Sequence, residues 1–185
     1  MNMNKIEVNV NNHSQSHKIH PDVAKEIFLA ILQRFGFKSC CLGLTLVSES
    51  EIRELNREYR DKDSSTDVLA FPQICWERAL SSDDIDDLEN LCQKGDIHPD
   101  LPVILGDIVI SPQNAEANAR EINQTVGREL CFLMVHGLLH LLGHDHIEAG
   151  EAEQMEMAQK DLMNFLAEAC AGPVWEKLVS EASSN

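Results

Sequence analysis

The chain has 185 residues, 31 acidic and 15 basic, and so carries −16 at neutral pH. That length suits one domain with a sizeable core, and 43% apolar with 25% charged residues excludes wholesale disorder. So acidic a surface repels phosphate at long range, which excludes a protein that coats DNA or RNA indiscriminately.

The N-terminus, Met1-Asn2-Met3-Asn4-Lys5, has no basic stretch leading into an apolar one and no arginine-rich transit composition, which predicts a cytoplasmic protein. Residues 5–10 alternate weakly and predict a first strand. Val23, Ile27, Ala30, Ile31 and Phe35 share one face of an amphipathic helix over 22–35, ended near Gly36. Leu42, Leu44 and Leu46 alternate as in a strand over 42–47. Ser48 with Glu51 has the pattern of a capping box and opens a helix through about Glu58. Residues 68–71 form a short strand stopped by Pro72.

Residues 75–100 change character. They carry −6, contain the acidic run Ser81-Ser82-Asp83-Asp84-Ile85-Asp86-Asp87, and are punctuated by Gly95 and Pro99, which predicts a solvated, flexible insertion with one helical turn at most. A strand resumes over 103–110. Ser111 before Pro112 sets an N-cap ahead of proline at the first helical position, so a helix runs from there to about Val126. Gly127 separates it from a helix over 128–142 that is apolar on nearly every side and therefore central. A further helix covers about 148–168. The expected fold class is α/β (α+β): one domain over residues 1–185, with a mixed sheet of about four strands packed on the central helix. The six cysteines, at 40, 41, 75, 92, 131 and 170, form no C-x-x-C pair and read as reduced, mostly packed thiols. The densest apolar stretch, residues 130–142, is too short and too polar to cross a bilayer, so no membrane partner is expected.

Four of the eight histidines fall within 11 residues, His136-Gly-Leu-Leu-His140-Leu-Leu-Gly143-His144-Asp145-His146. His136 and His140 are four apart and project from one helix face. Gly143 can take the left-handed conformation that ends the helix, and the chain can then turn back to bring His146 to the same ion. Three imidazoles suit one zinc ion and leave a position for water, the mark of a catalytic rather than a closed structural site. Two histidines on an apolar helix can also be satisfied core residues, but the whole array would leave polar rings in apolar surroundings without a metal. His144, beside the turn, reads as a pocket-wall or solvated residue rather than a ligand. Asp145 reads as either an acceptor fixing an imidazole tautomer or a cap of the turn. The spacing is that of metzincin proteases, yet Gly137 stands where H-E-x-x-H enzymes carry their glutamate base.

A site of this kind needs a cation for developing charge. Arg53, Arg57, Arg60 and Lys62 cluster between 53 and 62, and Arg60, just past the predicted helix, could fork onto phosphate oxygens. The interspersed Glu51, Glu54, Glu58, Asp61 and Asp63 give the alternative of an ordinary solvated helix face.

The segments LNREYR and DSSTDVLAFP within 55–72, LGDIVIS (105–111), GREL (127–130) and VHGLLHLLGHDH (135–146) together resemble the YbeY-type endoribonucleases, over roughly residues 40–170 and in the same order. Ser65, Ala70 and His144 stand where that family commonly has proline, serine and tyrosine; none is a ligand position. The resemblance implies a mixed α/β fold, one zinc ion on His136, His140 and His146, and a catalytic arginine at Arg60. It also implies metal-dependent cleavage of single-stranded RNA in small-subunit rRNA maturation and ribosome quality control. A zinc peptidase or amidohydrolase, and a zinc-stabilised ribosome-assembly factor without catalysis, are the competing classes. Expected partners are single-stranded RNA or rRNA, the ribosome or its small subunit, and a protein that delivers the enzyme, but not DNA. The regional charge fits: residues 1–74 are near neutral, while 75–100 and 148–168 together supply 11 of the 16 excess negative charges.

Overall fold

The structure, a computed structural model, describes residues 5–14, 16–84, 101–146, 149–169 and 173–180. A four-stranded sheet carries β1 (Ile6–Asn12), β2 (Cys40–Leu46), β3 (Val68–Pro72) and β4 (Val103–Ile110) in the order β1-β2-β4-β3. β1, β2 and β4 run parallel; β3 is antiparallel to β4, with Val68 opposite Ile110 and Pro72 opposite Gly106. Five helices accompany it: α1 (Pro21–Arg34), α2 (Glu49–Arg60), α3 (Pro112–Glu121), α4 (Val126–Leu141) and α5 (Ala149–Ala169). The expected mixed α/β domain around a central apolar helix is what forms.

Each helix start follows from its sequence. Pro21 and Pro112 sit in the first turns of α1 and α3, where a missing N–H costs nothing. At α2 both halves of the capping box close: the Glu51 N–H donates to Ser48 Oγ at 3.3 Å and the Ser48 N–H to Glu51 Oε2 at 2.8 Å. α2 runs to Arg60, ending on Asp61 in the left-handed region, so Arg60 is in its last turn and not beyond it.

One boundary differs from expectation. α3 ends at Glu121, Asn123 takes a positive φ of 53°, and Thr125 caps α4 by accepting from the Arg128 N–H at 3.3 Å. The break between the helices is therefore made by Asn123 and Thr125, with Gly127 already inside α4. A polar residue that tolerates the left-handed region and an oxygen cap end and restart helices as well as glycine does.

The sheet has two unequal faces. Leu105, Ile108 and Ile110 of β4 and the even-numbered leucines of β2 join α1, α4 and α5 in the main core, whereas Leu69 and Val109 point the other way and pack with Ile52 of α2. α4 lies against β3 and β4 with α3 and α5 beside it. This contact sets residue 137: a Cβ there would sit 2.7 Å from Cγ2 of Ile108, which is fully buried. Gly137→Ala is expected to destabilise the fold, because overpacking costs about 1–3 kcal/mol and alanine's helix preference returns only about 1 kcal/mol. Urea denaturation checks this; an unchanged or raised midpoint would contradict it.

Cys40 and Cys131 are buried free thiols, and burial pushes both up to about 12, which leaves them inert packing groups. The acidic segment divides. Residues 85–100 lie outside the described residues; most of 75–84 are exposed, with the segment anchored at a few points. Leu80 is buried in the main core with a helical turn at 82–84 just after it. Asp84 is buried too, where Arg78 and the Ser81 N–H and hydroxyl all donate to its carboxylate, holding it well below the usual range.

Candidate metal centre

The centre is built at the C-terminal end of α4. Gly143 has φ 83°, the Gly143 N–H donates to the His140 carbonyl at 3.1 Å and the His144 N–H to the Leu139 carbonyl at 3.0 Å, which is the paired bonding of a Schellman turn. Trp76 covers this turn, donating its Nε1–H to the Leu141 carbonyl at 2.8 Å. The Leu80 N–H donates to the Leu142 carbonyl at 2.9 Å. The chain therefore reverses, and one ligand atom from each of His136, His140 and His146 lies within 4.8 Å of the others.

Hydrogen bonds assign the tautomers. Gln159 of α5, only 6% exposed, donates its amide to the Phe132 carbonyl at 3.0 Å, which turns its oxygen toward His136 Nδ1, also at 3.0 Å. His136 Nδ1 is thus a donor. His140 Nδ1 stands 3.0 Å from the His144 carbonyl and can only donate there. For neutral rings both Nε2 atoms then carry bare lone pairs, and they face each other at 3.2 Å. Burial first, and then repulsion from His136 and His146, push His140 down to about 4, so its ring is neutral at neutral pH. Two acceptors at this distance call for a cation between them. Nitrogens bound tetrahedrally at ~2.0–2.1 Å to zinc would stand ~3.3 Å apart, so the residues present fit that ion. His146, half exposed, completes the set with Asp145 Oδ1 3.3 Å from its Nδ1.

Two cavities border the histidines. One, of about 580 Å³, is lined by residues 72–76 together with His140, Gly143, His144 and Asp145. The other, of about 620 Å³, lies between α4 and α5 and reaches His136 and His146. Of the two readings left open for His144 the wall is the one seen, with Nε2 3.1 Å from the Leu80 carbonyl. Arg60 lines neither cavity. Tyr59 meets Phe71 edge-to-face at 5.2 Å, however, which sets the end of α2 beside the end of β3 that runs into residues 72–76. Arg53 pairs with Asp63 and Arg57 with Glu54, so the solvated-face reading holds for those two. Arg60 pairs with no carboxylate among the described residues.

The chain matches the family described as Endoribonuclease YbeY over residues 7–167. It belongs to that family. Endoribonuclease YbeY of Listeria innocua is 42% identical over 149 residues, 78% of this chain and 87% of that one. The Listeria monocytogenes serotype 4a protein of the same name is 43% identical over 123 residues, 66% of this chain and 71% of that one. The Bacillus velezensis protein is 42% identical over 123 residues, 66% and 70% of the two chains. The solution structure of TM1509 from Thermotoga maritima aligns with a TM-score of 0.56 at 25% identity, covering 96% of this chain and 99% of that one.

Within this YbeY-family chain, sequence reasoning missed Gln159, Trp76 and Leu80. Gln159 did leave a signal, as a polar residue on the α5 face that buries Met155, Leu162 and Leu166. Removing its oxygen should free His136 to rotate and change tautomer. Gln159→Leu is expected to weaken metal binding about 10- to 100-fold, with Gln159→Glu closer to wild type, as measured by competition with a chromophoric chelator. Equal affinity in Gln159→Leu would remove the role. Asn114 donates to Ser65 Oγ at 2.6 Å, a bond that fixes the start of α3 against the residues leading into β3.

Proposed function

We propose that the chain is an endoribonuclease that cleaves single-stranded RNA in the maturation of ribosomal RNA, using one zinc ion held by His136, His140 and His146. The observation that carries the metal reading is the pair of bare Nε2 atoms 3.2 Å apart, each made an acceptor by a hydrogen bond on the far side of its ring. Family membership carries the reaction, hydrolysis of RNA phosphodiester bonds.

Bound there, zinc supplies a Lewis acid and a water of pKa near ~7. The protein's residues supply the rest. Gln159 and the His144 carbonyl hold the two helical imidazoles in the metal-binding tautomer, and Asp145 steadies His146. Arg60, uncommitted to any described carboxylate, faces the negative charge that builds on the phosphate in the transition state. The partners are the ribosome or its small subunit and a protein that delivers the enzyme to it, in the cytoplasm. Among the described residues no helix is long and apolar enough to cross a membrane. With Arg53 and Arg57 in internal pairs, binding to free RNA is weak and salt-sensitive, and the ribosome supplies the remaining affinity.

A peptidase would need a base next to His136, but residue 137 faces Ile108 in the core and has no space for one. Zinc-loaded protein incubated with a single-stranded RNA, its duplex form and casein tests the reading. Cleavage of the single strand alone is expected. Casein cleavage without RNA cleavage would make the protein a peptidase; tight binding to small subunits with neither cleavage would make it an assembly factor.

A further inference from the structure

The cavity between α4 and α5 has no task in the chemistry above, yet it opens directly on His136 and His146. Its α4 wall is a single row. Arg128, Phe132 and His136 follow at four-residue steps, each about 6 Å along the helix, so one face presents a cation, an aromatic ring and an imidazole in line. Phe132 is 38% exposed, unusual beside so apolar a core, and its ring lies within 16° of parallel to His136 with centroids 6.4 Å apart. The α5 wall offers Met155 and Met163 as a soft apolar floor, with Lys160 at the mouth. The volume, about 620 Å³, falls within the range of about 300–1,000 Å³ typical of small-ligand sites.

We propose that this cavity is a nucleobase subsite, in which Phe132 stacks an unpaired base of the RNA strand and Arg128 and Lys160 hold the adjoining phosphates. The proposal rests on the endoribonuclease reading and deepens it. Three features select RNA over an apolar peptide. The exposed ring is a stacking platform parallel to the metal-binding imidazole, two cations flank an otherwise acidic surface, and the cavity is continuous with the metal centre. Glu156 on the same rim repels phosphate but can accept from a base amino group. The arrangement also explains single-strand preference, since a base must leave its stack to enter. Sequence tolerance follows, because every base has a face to stack.

The test is fluorescence anisotropy of a short single-stranded RNA and of the same oligonucleotide with abasic positions, on zinc-loaded wild type, Phe132→Ala, Phe132→Trp and Arg128→Glu/Lys160→Glu. Metal content and cleavage rate are read in parallel. Phe132→Ala is expected to weaken binding of the intact RNA about 10- to 100-fold, to leave metal content unchanged and to have no effect on the abasic RNA. Phe132→Trp retains binding, and the double charge reversal weakens both oligonucleotides. Equal binding of intact RNA by wild type and Phe132→Ala overturns the subsite while leaving RNA cleavage in place. An apolar peptide as the natural occupant would give that result. Loss of binding to intact and abasic RNA alike in Phe132→Ala also overturns it. Absence of RNA cleavage by the wild type defeats the underlying reading instead, and the cleavage arm reports that separately.

Discussion

Arg60→Glu is expected to lower RNA cleavage at least about a hundredfold while the protein keeps its metal and its fold. Removing one preorganised donor from a developing oxyanion costs on the order of 10²–10³ in rate, and the reversed charge adds repulsion. Arg60 lines neither cavity, and its place in the fold is what motivates the role proposed for it. It occupies the last turn of α2, Tyr59 beside it packs on Phe71, and the strand it adjoins continues into the wall of the His140 cavity. Arg60→Lys should fall between wild type and Arg60→Ala, since an ammonium keeps the charge but loses the planar fork. The exposed guanidinium contributes to stability only through the helix C-terminus, about 0.3–1 kcal/mol, so a matching urea midpoint separates chemistry from folding. A wild-type rate in Arg60→Glu would end its catalytic role, and full rescue of rRNA processing in cells by that variant would favour binding without cleavage.

His140→Ala is expected to abolish stoichiometric metal binding and reduce cleavage to background together. His140 is the central member of the set: its ring lies 4.8 Å from that of His136 and 5.1 Å from that of His146. Loss of metal also has a readout without substrate. An ion that binds only the folded protein stabilises it by about 2.7 kcal/mol at a hundred times its Kd, so wild type should melt at a higher temperature with zinc than without, and His140→Ala should show no shift. Cleavage retained by a metal-free His140→Ala protein would refute the assignment.

The histidine array was legible because its logic is local: i,i+4 spacing on one helix face, a glycine that must turn, and a third ligand within reach. The capping box of α2 and the prolines of α1 and α3 were legible for the same reason. What escaped was tertiary. Gln159 lies 23 residues from the histidine it orients, and only its place on a buried face hints at a role. Residues 75–84 read as solvated from their acidity, yet Leu80, Trp76 and the Asp84–Arg78 pair fold them onto the end of α4. The break before α4 was assigned to Gly127 because glycine is the stronger local punctuator. Asn123 and Thr125 make it instead, and a single window does not rank such alternatives. Gly137 has two readings as well. The sequence marks a missing base, and the structure adds that Ile108 occupies the space.

The acidity of the chain keeps a meaning after all this. It falls mostly in residues 75–100 and 148–168, the second of which includes Lys160 and Glu156 of the α5 wall, and it limits affinity for free RNA.

The most direct test is to strip the protein with a chelator, return zinc in steps, and follow cleavage of a single-stranded RNA against bound metal. Activity is predicted to vanish in the stripped protein and to return in proportion to zinc, reaching its plateau at one ion per chain, with Arg60→Glu binding the same ion and staying inactive. Cleavage that survives complete stripping, or that fails to return when His136, His140 and His146 hold one ion, would contradict the account.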